Sequence, residues 1–125
     1  MTNWYSMKKT AGISVWLDDV RPMPSGFDIH AKTAKEAIDL LAKGDVDRIS
    51  LDHDLGEYWN GTGMDVANFI EKQAFEGTIK PPRTSLHTSN PVGRANMAQA
   101  IKNAYEYWDR HERKQTEQEG KDGLV

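Results

Sequence analysis

Short apolar runs alternate with amphipathic segments along most of this chain, and that alternation predicts helices packed on a parallel sheet. Apolar runs of strand length predict β-strands at residues 13–17, 27–31, 47–52 and 83–87. Apolar positions at helical spacing predict helices from Thr33 to Gly44, over 64–75, and from Pro91 to near Arg113. Because strands and helices alternate in this order, we expect right-handed crossovers and a mainly parallel sheet.

Capping and breaking residues mark the ends of the predicted helices. Thr33 is followed three residues later by Glu36, which is the capping-box pattern of a helix start. Gly44 and Gly77 stand where helices are expected to end. Two prolines and a glycine within residues 21–26 predict that a loop, and not a helix, makes the first crossover.

The chain is short enough to form one domain. We assign residues 1–12 to an N-terminal arm, 13–113 to a single domain and 114–125 to a polar tail. A length of 125 residues suffices for a core without disulfides, and the absence of cysteine excludes thiolate metal ligands and cysteine nucleophiles. No apolar run has the length of a signal peptide or a membrane span, so we expect a cytoplasmic protein without membrane association.

The charge and the positions of the acidic residues favour a small anionic ligand held through a metal ion. A formal charge of −3 argues against a protein that holds many phosphates, so general DNA binding is not expected. Acidic residues follow two predicted strands and are expected to share one edge of the sheet: Asp18, Asp19, Asp52 and Asp54. Four carboxylates there would repel unless a cation lay among them, so we predict bound Mg²⁺ or Mn²⁺. The alternative is that these acids only cap turns and helix starts.

Two histidines near the same strand ends are candidates for acid–base chemistry. His53 lies between Asp52 and Asp54, and His87 ends the fourth predicted strand. An unperturbed imidazole titrates near neutral pH, so this pair can supply a general acid and a general base. We favour His87. The alternatives are a structural hydrogen bond for either histidine, or a transition metal bound by His53.

Polar residues around the third predicted helix favour contact with a phosphate. Ser89 and Asn90 precede the helix start, whose free N–H groups attract an anion, although the same residue types also cap helices. Arg21 and Arg94 can contact a phosphate or pair with acids.

A loop rich in turn residues, 56–63, follows the third predicted strand. Loops of this kind commonly close over binding sites. Tyr58 and Trp59 lie on it, and we predict either that they stack on a base or that they fold back onto the core.

Three motifs carry a resemblance to a known family. They read Trp-Leu-Asp-Asp-Val-Arg-Pro at 16–22, Leu-Asp-His-Asp-Leu-Gly at 51–56 and His-Thr-Ser-Asn-Pro-Val-Gly at 87–93. They resemble the motifs of the cyclic-phosphate processing receiver domain, a family derived from the receiver domains of two-component signalling, with Thr88 in place of the usual serine. The resemblance covers about residues 13–108. It implies an α/β fold, a receiver-like (flavodoxin-like) three-layer sandwich reduced to about four mainly parallel strands with about three helices.

The resemblance to receiver domains in general is partial. In receivers an acidic pair and a third aspartate bind magnesium and accept a phosphoryl group, and a lysine follows the fifth strand. This sequence offers no fifth strand, and Lys80 precedes the strand that leads to His87, so we do not assign Lys80 the role of the receiver lysine.

The family resemblance implies a hydrolase, namely a metal-dependent phosphoesterase or phosphodiesterase that acts on a cyclic phosphate in a nucleotide or at an RNA end. The predicted catalytic residues are His87, His53 and Asp52, and the predicted ligand contacts are Arg21, Ser89, Asn90 and Arg94. Two alternatives stay open: a signalling receiver that accepts a phosphoryl group on Asp52, and a non-catalytic module that binds a cyclic nucleotide.

Overall fold

The computed structural model describes residues 12–123, with side chains for residues 12–117. Within residues 12–123 there are four strands, namely β1 (Ile13–Leu17), β2 (Ile29–Ala31), β3 (Val46–Leu51) and β4 (Arg83–Leu86). The same part of the chain contains three α-helices, namely α1 (Ala34–Ala42), α2 (Gly63–Glu76) and α3 (Pro91–Gly123). A short 3₁₀-helix, Tyr58–Asn60, lies between β3 and α2.

All four strands are parallel and form one sheet in the order β2-β1-β3-β4. The register places Leu17 of β1 beside Leu51 of β3, and Leu51 beside Leu86 of β4. The carboxyl ends of these strands therefore meet at one edge of the sheet. A parallel sheet of four strands with three helices confirms the predicted receiver-like α/β fold.

The apolar residues of the strands divide the sheet into two unlike faces. Val15, Leu17, Ile49 and Leu51 are fully buried, and they join one contiguous core with apolar residues of all three helices. The helices thus pack on that face. On the other face the loop between β1 and β2 turns back, and Phe27 contacts the Trp16 ring edge-on at 5.3 Å between ring centroids. A loop makes the first crossover, as the prolines predict.

Helix ends follow the capping signals in the sequence. The Glu36 N–H donates to the Thr33 hydroxyl at 3.1 Å, and Gly44 and Gly77 take positive φ angles of 87° and 71°. Only glycine adopts such angles without strain, which is why these residues end α1 and α2. The strand limits differ from the predicted ones by one or two residues.

The predicted end of the third helix near Arg113 is wrong, because α3 continues to Gly123. Residues 114–119 contain neither glycine nor proline, and their Lys, Gln and Glu residues favour a helix even without an apolar stripe. The predicted N-terminal arm lies outside the described residues, except for Gly12. None of the helices in the described part of the chain combines the length and apolar character that a lipid bilayer would require.

The start of α2 fixes the backbone that follows β3. The Gly63 N–H donates to the His53 carbonyl at 2.8 Å. A Cβ atom at Gly63 would overlap the carbonyl oxygen of Asp52 and lie 2.8 Å from the Met97 sulfur. A residue with a side chain has no room here, so α2 holds the Asp52–His53 backbone in place.

We predict that Gly63→Ala lowers the free energy of unfolding by about 1–3 kcal/mol or more, because overpacking forces the backbone apart. Urea denaturation measures it. Asn68→Ala, at an exposed position of the same helix, is the control and should change the value by no more than about 0.5 kcal/mol. Equal stability of Gly63→Ala and wild type would contradict the close packing described here.

Candidate active site

Three side chains meet where β1, β3 and β4 end. Asp18, Asp52 and His87 are each the first residue after one of these strands. Their N–H groups extend the hydrogen-bond ladder by one residue, to the carbonyls of Ala31, Leu17 and Leu51. One ligand atom from each of the three side chains lies within 4.8 Å of the others, which is a spacing that can hold a metal ion. Parallel pairing therefore builds this cluster from residues far apart in sequence.

The Asp18 carboxylate is fully buried and accepts three hydrogen bonds. Its Oδ1 accepts from the N–H groups of Val20 at 2.9 Å and Arg21 at 2.7 Å, and its Oδ2 lies 3.0 Å from His87 Nε2. Burial acts to raise the pKa of Asp18, but the hydrogen bonds from Arg21, Val20 and His87 outweigh burial and lower the pKa below its usual value. The group is therefore a stable anion at neutral pH.

His87 is held on three sides. Its Nδ1 lies 2.8 Å from the Ser50 hydroxyl, and its ring stacks on Trp16 with 3.8 Å between ring centroids. Burial lowers the pKa of His87, and the opposing effect of the hydrogen bond and charge of Asp18 only partly offsets it. The imidazole is thus neutral at pH 7. Assigned from the network, Nε2–H donates to Asp18 while Nδ1 accepts from Ser50.

Ser50, His87 and Asp18 form a hydrogen-bonded row like that of serine hydrolases. However, Ser50 is only 3% exposed and lies on β3 beneath the imidazole. A substrate has no access to its hydroxyl. The row therefore orients His87 and does not supply a nucleophile.

Asp52 stands beside this row and is also largely buried. Its Oδ1 accepts from the N–H of the next residue, His53, at 2.8 Å. Among the described residues no hydrogen bond is found to its Oδ2, so this oxygen can bind a ligand. Asp52 is thereby the member of the cluster best suited to receive a cation.

His53 and Asp54 belong to a second, more exposed cluster. His53 Nδ1 lies 3.0 Å from Asp54 Oδ1, and the Asn90 amide donates to Asp54 Oδ2 at 3.3 Å. The hydrogen bond from His53 lowers the pKa of Asp54, with burial opposing it and Asn90 adding to it. Asp54 is not in the close group of Asp18, Asp52 and His87, since its two oxygens face His53 and Asn90.

Gly93 makes room for the ring of His53. A Cβ atom at this position, in the first turn of α3, would overlap the imidazole carbons. No hydrogen bond reaches His53 Nε2 within residues 12–117, since the Asp54 contact uses Nδ1. Gly93 carries no chemistry of its own, and only its place in the third motif marked it in the sequence.

Asp19 points elsewhere along the same edge. Its Oδ2 lies 3.0 Å from the position that a Cβ of Gly56 would take, so it contacts the loop after β3. Gly56 has a φ of 84°, which favours glycine independently of this contact. Asp19 therefore does not belong to the group of Asp18, Asp52 and His87, whose ligand atoms lie within 4.8 Å of one another, although it directly follows Asp18.

Two arginines reach the end of β4 from different elements. Arg21 donates to the His87 carbonyl at 2.6 Å, and Arg94, from the first turn of α3, donates to the Leu86 carbonyl at 3.2 Å. Both side chains are exposed to solvent. Their charges flank the cluster and favour an anionic ligand there.

The residues between β4 and α3 have distinct positions. Asn90 caps α3, because its side-chain oxygen accepts from the Gly93 N–H at 3.0 Å. Ser89 is exposed at the bend just before this cap. Thr88 is buried, and its hydroxyl accepts from the Asn90 N–H at 3.1 Å. A threonine here therefore shapes the turn.

Residues 13–103 match the cyclic-phosphate processing receiver domain. The chain belongs to this family. The match spans the whole sheet and the first part of α3, and it includes all three motifs noted in the sequence. A search of curated proteins gave no match. Family membership confirms the resemblance seen in the sequence and links the domain to cyclic-phosphate processing.

The sequence pointed to most of these side chains but not to their partners. It missed Ser50 and Trp16 as the supports of His87. Strand alternation could have found them, since Trp16 pairs with Ser50 in the register and both lie on the face that carries His87.

We predict that the pKa of His87 in the metal-free protein lies below the ordinary value near 6.5 and falls further in Asp18→Asn, because that change removes the charge that raises it. NMR titration of the imidazole with EDTA present measures it, with His87→Gln to assign the signal. Asp54→Asn, which alters a carboxylate outside this contact, should leave it unchanged. A pKa above 6.5 would contradict the buried, neutral imidazole.

Proposed function

We propose that this domain is a metal-dependent phosphoesterase that opens a cyclic phosphate carried by a nucleotide or an RNA end. The observation that supports it is the cluster of Asp18, Asp52 and His87, whose ligand atoms lie within 4.8 Å at one sheet edge. Arg21 and Arg94 flank this cluster, so a cation and an anionic phosphate can occupy neighbouring positions. Two carboxylates with two nearby arginines suit a metal-bound phosphate better than a free cation.

The donor set favours Mn²⁺ over Mg²⁺. Mg²⁺ binds chiefly oxygen ligands, whereas an imidazole nitrogen beside two carboxylates suits Mn²⁺ and other transition metals. Asp52 Oδ2 and the buried Asp18 carboxylate would hold the ion. His87 would complete the set through Nε2 once its proton moves to Nδ1, which would then donate to the Ser50 hydroxyl and keep the ring oriented. Such an ion, when bound, would neutralise phosphate charge and make a bound water more acidic.

His53 is the best-placed residue for moving protons. Both nitrogens of His87 are engaged, by Ser50 and Asp18, while His53 uses only Nδ1 on its carboxylate partner. In hydrolysis, a water oxygen forms a bond to phosphorus and one ring P–O bond breaks. His53 Nε2 would accept the proton of the water or return one to the leaving ribose oxygen. Asp54 and Asn90 would then position His53, and His87 would serve as ligand rather than as base.

Arg21, Arg94 and the start of α3 would hold the phosphate. The guanidinium groups supply paired N–H donors that match phosphate oxygens. Ser89 is exposed just before the helix start, where its hydroxyl can reach a ligand. Asn90, by contrast, is occupied with the cap and with Asp54.

The position of Lys80 weighs against the phosphoryl-accepting alternative. Lys80 is buried and forms an ion pair with Asp47 near the amino end of β3, opposite the candidate site. It therefore does not take the place of the lysine that receivers use. A non-catalytic binding module is the remaining alternative, and turnover distinguishes it.

We expect metal-dependent turnover of 2′,3′-cyclic or 3′,5′-cyclic nucleotides, or of an RNA ending in a cyclic phosphate. Asp52→Ala should abolish it because a ligand is lost. His53→Ala should lower kcat by about 10²- to 10⁴-fold, the usual contribution of general acid–base catalysis. Chromatography of products with Mn²⁺, Mg²⁺ or EDTA measures this.

Asp39→Ala, an exposed acid on α1, is the matched control and should retain full activity. Circular dichroism of every variant separates loss of activity from loss of fold. Turnover that persists in EDTA, or equally in Asp52→Ala, would contradict the proposal. If a cyclic nucleotide binds but no product forms, the non-catalytic binding module replaces the phosphoesterase proposal.

A further inference from the structure

Exposed apolar side chains are concentrated around the candidate site. Six large apolar residues are exposed in the described part of the chain. Four of them lie on segments that follow the carboxyl ends of strands, namely Val20 (79% exposed), Tyr58 (89%), Trp59 (69%) and Val92 (69%). Exposed apolar residues that gather at one edge favour a ligand with an apolar part.

The other two exposed residues have partners within the fold. Phe75 packs edge-on against Tyr107, with 5.2 Å between ring centroids. The Tyr105 hydroxyl donates to the Pro82 carbonyl at 2.7 Å and accepts from the Thr84 N–H at 3.0 Å, which covers the open edge of β4. Folding thus explains these two aromatics, but it does not explain Tyr58 and Trp59.

The aromatic pair is fixed in its outward position. Its rings contact each other edge-on at 5.3 Å, and neither side chain is buried. The Asn60 amide donates to the Leu55 carbonyl at 2.8 Å, and Asp54 bridges to Thr62 across the base of the loop. Of the two sequence predictions for this pair, folding back onto the core is wrong. The loop displays both rings to solvent.

The pair also adjoins the acidic edge. The position of a Gly56 Cβ lies 3.0 Å from Asp19 Oδ2 and 3.7 Å from the Asn60 amide nitrogen. Asn60 follows Trp59 directly, so the short segment that carries the indole passes close to the Asp19 carboxylate. Asp19 in turn follows Asp18, a member of the cluster. A ligand with its phosphate at the cluster can extend across this loop.

We propose that Trp59, supported by Tyr58, is the surface on which the nucleobase of the cyclic-phosphate substrate stacks. The location of the phosphate rests on the proposed function. Aromatic rings stack on any base through its flat face, and this contact is typically strong enough to change affinity by tenfold or more. Val20 and Val92 add apolar surface beside the same site. A nucleotide supplies both parts that the edge requires, an anionic phosphate and a flat apolar ring.

If the base is held by stacking alone, with no hydrogen bonds to its edges, the site should accept any of the nucleobases. The side-chain amide of Asn60, the residue after Trp59, already donates to the Leu55 carbonyl. We therefore expect purines to be favoured over pyrimidines through their larger ring area only. A membrane surface fits less well, because the exposed Asp54 and the nearby Asp19 would repel anionic lipids.

The experiment compares two probes on the Mn²⁺-loaded full chain. One is adenosine 2′,3′-cyclic phosphate, and the other is methyl ribofuranoside 2′,3′-cyclic phosphate, which lacks a base. Both kcat/KM and the dissociation constant by calorimetry are measured for wild type, Trp59→Ala, Trp59→Phe and Phe75→Ala. Phe75→Ala removes an exposed aromatic at the end of α2 opposite to the site and is the control.

We expect the adenosine probe to be preferred by about tenfold or more. Trp59→Ala should reduce that preference to less than about twofold, while Trp59→Phe and Phe75→Ala keep most of it. The base-free probe should be unaffected by Trp59→Ala.

Equal handling of both probes by the wild type, or a preference that Trp59→Ala leaves intact, would overturn the stacking assignment while the phosphoesterase stands. A base-dependent affinity without turnover would uphold stacking and reject the enzyme. If neither probe binds, both proposals fail.

Discussion

A fully buried carboxylate, Asp18, organises the carboxyl edge of this sheet. Removing a charge from water is costly unless hydrogen bonds replace the lost hydration. For Asp18, the N–H groups of Val20 and Arg21 and the imidazole of His87 supply these hydrogen bonds. Those contacts tie the end of β1 to the proline-rich loop and to the segment after β4. The orientation of Arg21 follows from the same turn, because its own N–H is one of the donors.

The buried aspartate also determines what the neighbouring side chains can do. Its contact with His87, together with Ser50 and the stacked Trp16, leaves that imidazole neutral and unable to turn. His53, one residue after Asp52, keeps a nitrogen available instead. The two histidines therefore have different chemical properties although both follow strand ends. On our proposal, the neutral imidazole beside two carboxylates serves as a metal ligand, and the imidazole beside the exposed Asp54 serves in proton transfer.

Much of this arrangement was predictable from sequence, because it depends on strand ends. Parallel strands place their carboxyl ends together, so the strand pattern alone brings Asp18, Asp52 and His87 to one edge. The division of the acids into two groups could not be predicted, since Asp54 turns toward Asn90 of a distant segment. The orientation of His87 could not be predicted either. It depends on contacts with Ser50 and Trp16, which the apolar pattern identifies only as strand residues. The extent of α3 was missed because polar helix formers give no apolar period.

The metal site proposed at Asp18, Asp52 and His87 is best tested by locating the ion itself. Crystals grown with Mn²⁺ and measured at the manganese absorption edge do this, since the anomalous signal locates the ion independently of its ligands. We expect a strong peak in contact with Asp18, Asp52 and His87. A manganese peak held instead by Asp54 and His53, or no peak between the three strand ends at saturating Mn²⁺, would contradict this site.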